Sequence, residues 1–410
     1  MVIGNDVGPP DNYYLGDGTG EFKLLHRDDG IIPHSASSTM SITTADVDND
    51  LSPEIYLAQI SGRTGAPDVE IRSAGPELCD EIQMPRHREQ CERNQELHSA
   101  IVLARNTRSI NRCLSLDVDF RDDCVASLLL QWAQTKGDPK LCEFFPETWD
   151  TFAFFCNHRF AEHATPEKAE LKSAIRQIQR KNVLLSRSPD GPFTDRAEEL
   201  GVHVGGWSWN AKFADLDNDG WQDLFVVNGP AFLATRESNL FYKNEGGKKF
   251  VDRTSDYGLG SFLATSSYSY IDIENDGDLD LIVFPSAGPV TVYSNEAANG
   301  NAIAFELRDH EGNRFGIGSR ITIHYGSEGS QHQMREIQAG GGFVSYDAPI
   351  AHFGLGDVEK VDRVEILWST GERTVIDEPI AAGSRYRVTR EEGAVQPEQE
   401  PLQAQVLQGG

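Results

Sequence analysis

The sequence predicts a mainly β protein: a partial β-propeller, interrupted by a helical, cysteine-rich insertion and followed by a separate all-β domain. Three observations lead to this prediction. An acidic loop motif occurs three times, each time between two strand-like runs. All 6 cysteines fall in one stretch that has helical periodicity. From about residue 301 onwards, short apolar runs alternate with glycine and show no helical period.

The clearest copy of the acidic motif runs from Asp215 to Asp223, with the sequence DLDNDGWQD. Carboxylates stand at loop positions 1, 3, 5 and 9, and Gly220 stands at position 6, where the chain must turn tightly. Carboxylates this close repel one another unless a cation lies between them, and an all-oxygen set suits a hard ion such as calcium. The flanking runs SWNAKFA and DLFVVNG are typical of strands rather than of EF-hand helices. The motif therefore predicts a calcium loop between two β-strands.

The other two copies are Asp272 to Asp280 (DIENDGDLD) and Asp46 to Glu54 (DVDNDLSPE). We expect the first copy in the chain to be the least regular, because Leu51 takes the place of glycine at position 6 and Pro53 stiffens the loop. An isolated acidic cluster of this kind can also be a solvated turn. Three copies in matching contexts favour ion binding, since a turn alone needs no fixed spacing of carboxylates.

The spacing of the motifs predicts the blades and the insertion. Asp215 and Asp272 are 57 residues apart, and four strand-like runs lie in that period, as in one propeller blade. The gap from Asp46 to Asp215 is 169 residues, which leaves about 110 additional residues between roughly Ser61 and Lys181. Within that stretch, apolar residues recur at helical spacing. They are Val125, Leu128, Leu129 and Trp132, and then Leu171, Ile175 and Ile178.

The six cysteines predict disulfides within the insertion and an oxidising compartment, although the pairing cannot be read from the sequence. They are Cys79, Cys91, Cys113, Cys124, Cys142 and Cys156. Two alternatives stay open. The cysteines can be reduced and packed as small apolar residues. A zinc or other soft-metal site is less favoured, because cysteines in disulfides cannot also bind a metal; its ligands would come from His87 with Cys91, and from Cys156, His158 and His163.

Composition restricts the partners. The net charge of −27 and the pI near 4.7 argue against nucleic acid and against an anionic membrane surface. No apolar run approaches the roughly 20 residues of a membrane-spanning helix. The first ten residues carry no basic or apolar region of a signal peptide and match the middle of a repeat. We therefore expect that the sequence either is a fragment or begins at a misplaced start codon, and a lost export signal fits both.

The repeats resemble the FG-GAP or VCBS class of calcium-binding propeller blades found in integrin α-subunit heads. Three runs near the C-terminus, GNRFGIGSRITIHYG, GGGFVSYDAPIAHFGLG and VEILWSTGE, are similar to the ASPIC/UnbV domain of cartilage acidic protein-like proteins and their bacterial relatives. The resemblance implies Ca²⁺ ligands at positions 1, 3, 5 and 9 of each loop and a backbone carbonyl at position 7. In this sequence they are Asp46, Asp48, Asp50, Ser52 and Glu54; Asp215, Asp217, Asp219, Trp221 and Asp223; and Asp272, Glu274, Asp276, Asp278 and Asp280.

These observations divide the chain into five parts. We predict propeller blades at 1–60, the helical insertion with six cysteines at 61–181, further blades at 182–299, the ASPIC/UnbV-like domain at 300–392 and a disordered tail at 393–410.

Two functions are compatible with this organisation. The first is a calcium-stabilised extracellular or periplasmic module that binds a protein or glycan partner. The second is an enzyme of lyase or cyclase type with its active site between the propeller face and the insertion. No catalytic residue can be assigned, because the sequence has no G-x-S-x-G motif, no P-loop and no dinucleotide fingerprint. His352 is expected to be a structural histidine beside a tight turn.

Overall fold

The computed structural model describes residues 1–6, 9–60, 79–80, 85–146, 149–161, 168–187, 191–229, 238–261, 263–286, 289–296, 300–340, 342–391 and 394–402. The protein is mainly β, with 38% strand and 21% helix, as the sequence predicted at this level. None of the helices in these residues is both long and apolar enough to cross a membrane.

Four small antiparallel sheets follow one another through the first 300 residues. In each of the last three, consecutive strands are hydrogen-bonded neighbours. The first sheet is β1 (Val2–Ile3), β2 (Asn12–Gly16) and β3 (Phe22–Leu24). The second is β5 (Thr39–Ala45), β6 (Glu54–Gln59), β8 (Val183–Arg187) and β9 (Phe193–Asp195), beside a parallel pair of β4 (Ser35–Ala36) and β7 (Gln177–Ile178). The third is β10 (Ser208–Ala214), β11 (Asp223–Asn228), β12 (Leu240–Asn244) and β13 (Phe250–Asp252), and the fourth is β14 (Thr265–Ile271), β15 (Asp280–Pro285) and β16 (Thr291–Tyr293).

These sheets pack face to face. Strand β10 lies against both β5 and β14, the first strands of the neighbouring sheets. One apolar cluster, which includes Tyr56, Leu200 and Val226, fills the space between the second and third sheets. A second cluster, which includes Phe225 and Tyr268, fills the space between the third and fourth. Each sheet therefore covers the apolar face of the next, so a single sheet has no closed core of its own.

Helices occupy the chain between β6 and β8, which are nevertheless paired neighbours, with Ile55 opposite Leu185. The described helices there are α1 (Pro85–Thr107), α2 (Asn111–Leu114), α3 (Val118–Lys136), α4 (Asp150–Phe160) and α5 (Lys168–Ser173), with a 3₁₀ turn at Pro139–Phe144. A further short helix, α6 (Ala197–Leu200), follows β9. Helix α3 is followed by Gly137, whose left-handed conformation ends the helix and lets the chain change direction.

Disulfides connect these helices, as the sequence predicted. Cys113 pairs with Cys124 and Cys142 pairs with Cys156, and Cys79 is also disulfide-bonded. The sulfur of Cys156 is therefore not available to a metal, which removes the zinc set proposed around it. His163 and the side chains of His87 and Cys91 lie outside the described residues.

The C-terminal part forms two further sheets around one core. One sheet has the order β20 (Ile350–Gly356), β17 (Asn301–Asp309), β25 (Ser384–Glu391) and β26 (Ala394–Pro401). The other has the order β19 (Gln331–Glu336), β18 (Arg320–Tyr325), β22 (Arg363–Leu367) and β23 (Arg373–Ile376), with a small pair of β21 (Lys360–Val361) and β24 (Ile380–Ala381). The core between the sheets contains Phe305, Phe353 and Trp368.

The end of the chain differs from the prediction. Residues 394–401, assigned from the sequence to a disordered tail, form β26 and pair with β25 from Glu391 opposite Ala394 to Ser384 opposite Pro401. Its composition, rich in Gln, Glu and Pro, indicates disorder when the segment is considered alone. An edge strand gains its stability from the backbone of its neighbour, and that contribution leaves no apolar signal in its own sequence.

A buried ion pair stabilises the C-terminal core. The guanidinium of Arg390 contacts both carboxylate oxygens of Asp309, at 2.9 and 2.8 Å, and lies 4.5 Å from the centroid of the Trp368 ring. The Arg390 side chain is 3% exposed and that of Asp309 is 0% exposed. Removing either partner of so deeply buried a pair would destabilise the fold, because the other charge would stay buried without an opposite charge beside it.

We expect Asp309→Ala to lower the free energy of unfolding by about 3–5 kcal/mol, because it leaves the Arg390 guanidinium buried without its main partner. Urea denaturation of the whole chain measures the change. Glu372→Gln is the matched control, since Glu372 contacts the same arginine but is 65% exposed, and it should cost less than about 1 kcal/mol. Equal losses in the two variants would contradict this account of the core.

Candidate metal centre

The three acidic loops adopt the same local structure at the turn between the first and second strands of the second, third and fourth sheets. In each, the aspartate at position 1 accepts hydrogen bonds from the backbone N–H groups of positions 5 and 6. The distances are 2.9 and 3.0 Å for Asp46, 3.1 and 2.8 Å for Asp215, and 3.0 and 3.1 Å for Asp272. The position-5 aspartate then accepts from the N–H of position 7, at 2.7 to 3.0 Å. These bonds fold the loop around its own carboxylates.

The first loop follows the same path although it lacks the glycine. Positions 4 and 6 have positive φ in all three copies; at position 6, φ is +68° for Leu51, +94° for Gly220 and +96° for Gly277. We expected Leu51 to make this copy the least regular, but the loop accepts a left-handed leucine instead. That conformation costs a residue with a β-carbon roughly 1–2 kcal/mol. The rest of the loop must therefore compensate for strain at Leu51.

The acid at position 9 attaches the loop to the sheet. Asp223 accepts the backbone N–H of Leu216 and also that of Asn244 on the third strand, at 3.2 and 2.8 Å. Asp280 repeats both contacts with Ile273 and Asn295, at 2.7 and 2.8 Å. Each position-9 aspartate therefore has one oxygen on its own loop and the other on the third strand (Asn244) or on the residues just after it (Asn295).

Glu54 is the longer acid at the same position of the first loop. It accepts the N–H of Val47 at 3.1 Å and the hydroxyl of Ser186 at 3.0 Å. Both position-9 contacts are kept, but the second comes from a side chain rather than from backbone.

Carboxylate oxygens converge in two of the loops. One oxygen each from Asp46, Asp48 and Asp50 lie within 4.8 Å of one another, and so do oxygens of Asp215, Asp217 and Asp223. The described part of the third loop has no group of three that close, so its predicted ligands Asp272, Glu274, Asp276, Asp278 and Asp280 are not brought together to the same degree. The carbonyl ligands at Ser52, Trp221 and Asp278 stay predictions.

Two of the converging acids each have an unsatisfied oxygen. Oδ1 of Asp48 and Oδ1 of Asp217, both at position 3, are buried and accept no hydrogen bond from any residue that the structure describes. A buried carboxylate oxygen without a donor is costly, and a cation between the acids would satisfy it. The donor set of the first and second loops therefore fits a hard cation.

Burial and crowding make these acids hard to ionise in the absence of a cation. Burial raises the pKa of Asp46 to about 6 and that of Asp215 to about 7, with neighbouring loop carboxylates adding to the effect. It also raises the pKa of Glu54 to about 7 and that of Asp280 to about 6. A divalent ion would reverse these shifts, because it favours the charged forms.

Four basic residues that the sequence analysis missed surround the loops. Lys243 contacts Asp217 and also Asp219, the latter at 2.7 Å, and Arg196 contacts Asp48 at 3.0 Å. The fully buried Arg335 acts electrostatically on both Asp46 and Asp215, and Arg385 lies 3.9 Å from Asp272. Burial opposes a proton on Lys243, but the hydrogen bonds that its ammonium donates to the two aspartates raise its pKa. The signal in the sequence was a charge inside a strand-like run: Lys243 in NLFYKN, Arg335 in MREIQAGG and Arg385 in RYRVTRE.

The C-terminal domain rests directly on the second and third loops. The N–H of Gly356 donates to the carbonyl of Asn218 at 2.7 Å, and Nε2 of His352 lies 2.9 Å from the carbonyl of Gly277. Burial lowers the pKa of His352 to about 4, so the ring is neutral at physiological pH and serves as a structural donor, as expected. Behind these contacts lies a cavity of about 340 Å³, lined by residues of the sheets and of this domain.

Replacing Leu51 by glycine should raise the free energy of unfolding by about 0.5–1 kcal/mol. The substitution relieves the left-handed strain, and the greater freedom of glycine in the unfolded chain offsets only part of that gain. Leu51 is 37% exposed, so little buried area is lost. Thermal unfolding of ion-stripped protein tests the effect. Leu15→Gly, in an ordinary strand conformation, should destabilise, and a loss for Leu51→Gly as well would show that its side chain matters more than its backbone.

Ion-stripped protein should become less stable as the pH rises from about 5 to 8. Asp46, Asp215 and Glu54 have higher pKa values in the folded chain than in the unfolded chain, so their contribution is present at low pH and lost as the pH passes through 6 to 7. Melting temperatures across this range measure the slope, and Asp215→Asn should flatten it. A melting temperature that rises steadily over the same range would contradict the assignment.

Comparisons with known proteins agree with the resemblance seen in the sequence. The family model described as ASPIC and UnbV matches residues 309–395. Cartilage acidic protein 1 of Homo sapiens is 27% identical over 185 residues, which is 43% of this chain and 26% of that protein. Integrin alpha-3 of Cricetulus griseus is 30% identical over 155 residues, which is 36% of this chain and 15% of that protein. The chain therefore spans about a quarter or less of the length of these relatives.

A crystal structure described as a candidate cell adhesion protein of Bacteroides ovatus also matches, with 13% identity, 49% of this chain and 87% of that chain covered, and a TM-score of 0.20. A TM-score of 0.20 is too low to establish a shared fold. The family and sequence matches carry the assignment: residues 309–395 match the ASPIC and UnbV family model, in a chain related to cartilage acidic protein 1 and to integrin alpha-3.

Proposed function

We propose that this chain is a calcium-stabilised binding module of an extracellular or periplasmic protein. The observation that carries the proposal is the convergence of three carboxylates in the first and second loops, each with a buried oxygen that no described donor satisfies. Calcium fits better than a transition metal, because the ligand atoms are all oxygen and neither sulfur nor imidazole is among them.

The role of the ion is structural. Each loop joins the first two strands of a sheet. Its position-9 acid reaches the third strand in the second loop and the residues just after the third strand in the third loop. An ion bound there would hold three strands together at one edge. Because the loop itself would supply most of the ligands, the bound ion would chiefly neutralise its carboxylates and connect the strands. The ion would thus contribute to stability rather than to catalysis.

The sheets at 1–60 and 182–299 are proposed to be blades of an FG-GAP-type propeller, and 61–181 a helical insertion within one of them. The packing of consecutive sheets supports this, since β10 lies between β5 and β14. The pairing of β6 with β8 across the helices supports the insertion. Both features are what a propeller interrupted inside a blade would show.

The partner is proposed to be a protein or a glycan. Cartilage acidic protein 1 and integrin alpha-3 support an extracellular interaction role, and the disulfides of the helical segment support an oxidising compartment.

The enzyme hypothesis has less support. At the described cavity, Lys212 pairs with Asp347 at 2.6 Å, Arg385 lies 3.9 Å from Asp272, and His352 is neutral and hydrogen-bonded.

Adding calcium to ion-stripped protein should raise its melting temperature by several degrees, since a site at a thousandfold excess of ion over Kd adds about 4 kcal/mol. Differential scanning calorimetry over a calcium titration measures the rise. Asp50→Asn should reduce the calcium-dependent part, because it removes one of the converging acids of the first loop. Asp28→Asn, an exposed acid outside the loops, is the control and should behave as the wild type. No calcium-dependent rise would refute the proposed function.

A further inference from the structure

One position at the third strand of each sheet, or directly after it, faces the acidic loop, and the sheet of the second loop carries a different residue there from the other two. Position 10 of the loops pairs with Leu185, Tyr242 and Tyr293, so these three residues are structurally equivalent. The next residue along each strand is therefore equivalent as well. It is Ser186 for the first loop, Lys243 for the second and Ser294 for the third.

The two serines make weak, neutral contacts. Ser186 donates its hydroxyl to Glu54 at 3.0 Å, and Ser294 donates to Glu274 at 3.4 Å. Neither contact changes the charge of its loop. A cation that enters the first or third loop meets a hydroxyl at this position, which has lone pairs and does not repel it.

Lys243 differs in both charge and reach. Its ammonium contacts Asp217 at position 3 and Asp219 at position 5, and its side chain is 19% exposed. These are two of the four side-chain ligands that the second loop would offer to a metal. Arg196 near the first loop is a weaker parallel, because it contacts one oxygen of Asp48 alone and shares its charge with Glu199.

A fixed ammonium and a divalent ion cannot use the same carboxylates at once. Like charges a few ångströms apart repel strongly in a half-buried site, and an ammonium is a donor without lone pairs, so it cannot join the coordination sphere. Because the lysine is tethered, it competes at a high effective concentration. Its four-carbon stem is flexible enough to swing away when an ion wins.

We propose that Lys243 is a built-in competitor for the metal in the second loop, so that this loop binds divalent cations more weakly than its ligand set alone would allow. The inference rests on the proposed calcium function. In the ion-free protein the ammonium holds Asp217 and Asp219 in place of the ion. The second loop therefore stays closed at low calcium, while the first and third loops, with serine at this position, depend on the ion.

The test isolates the second loop in the whole chain. Asp50→Asn and Asp276→Asn weaken the first and third loops and form the background. In this double variant, terbium titration measures binding at the second loop, because Trp221 at position 7 can sensitise terbium emission. Calcium is then added to displace the terbium. Lys243→Ser installs the residue found in the other two sheets, and Lys248→Ser, an exposed lysine nearby, changes the net charge by the same amount.

Lys243→Ser should increase the affinity of the second loop about tenfold or more, in line with the dependence of such sites on ligand charge, and Lys248→Ser should leave it unchanged. Lys243→Met keeps the packing of the stem and should give the same gain if the serine variant folds poorly. Equal affinity with and without Lys243 would overturn the inference. Absence of binding in every variant, including the wild type, would instead refute the calcium function itself.

Discussion

The structure depends on keeping clustered carboxylates together at the turns of its sheets. In every acidic loop the position-1 aspartate is buried or partly buried and receives two backbone N–H groups, and the position-9 acid is fixed to its own loop. These hydrogen bonds favour the ionised acids but do not offset the cost of burying them, to which repulsion from neighbouring carboxylates adds, as the raised pKa values of Asp46 and Asp215 show. Cations near the loops lower that cost, and the protein supplies some of them itself.

The basic side chains of the protein are distributed unequally among the three acidic loops. Arg335, from the C-terminal domain, is buried near the first aspartates of two loops, and Arg385 approaches that of the third. The ASPIC/UnbV domain is therefore part of the electrostatic balance of the sheets as well as a neighbour. Because Gly356 and His352 also hydrogen-bond to the loops, any change in loop geometry on ion binding acts directly on the contact with this domain.

Much of this arrangement could be predicted from the sequence, because it is local. The position of the loops, the strands on either side and the disulfides among the helices follow from motifs whose residues are close in the chain. What could not be predicted depends on tertiary contacts. A left-handed leucine at position 51, a lysine that reaches two carboxylates from another strand, and a polar terminal segment that pairs with β25 are each disfavoured or neutral locally. Each is decided by a partner far away in sequence.

The pairing of β6 with β8 has a consequence for how the chain assembles. Neighbouring strands lie about 4.8 Å apart, so the helical segment leaves the sheet and returns to it at almost the same point. The entropic cost of closing so long a connection is only slightly larger than that of closing a short one, because this cost grows with the logarithm of the length. Both ends of such a segment are attached to adjacent strands. Its length and sequence can therefore change during evolution while the strands of the sheet keep their register.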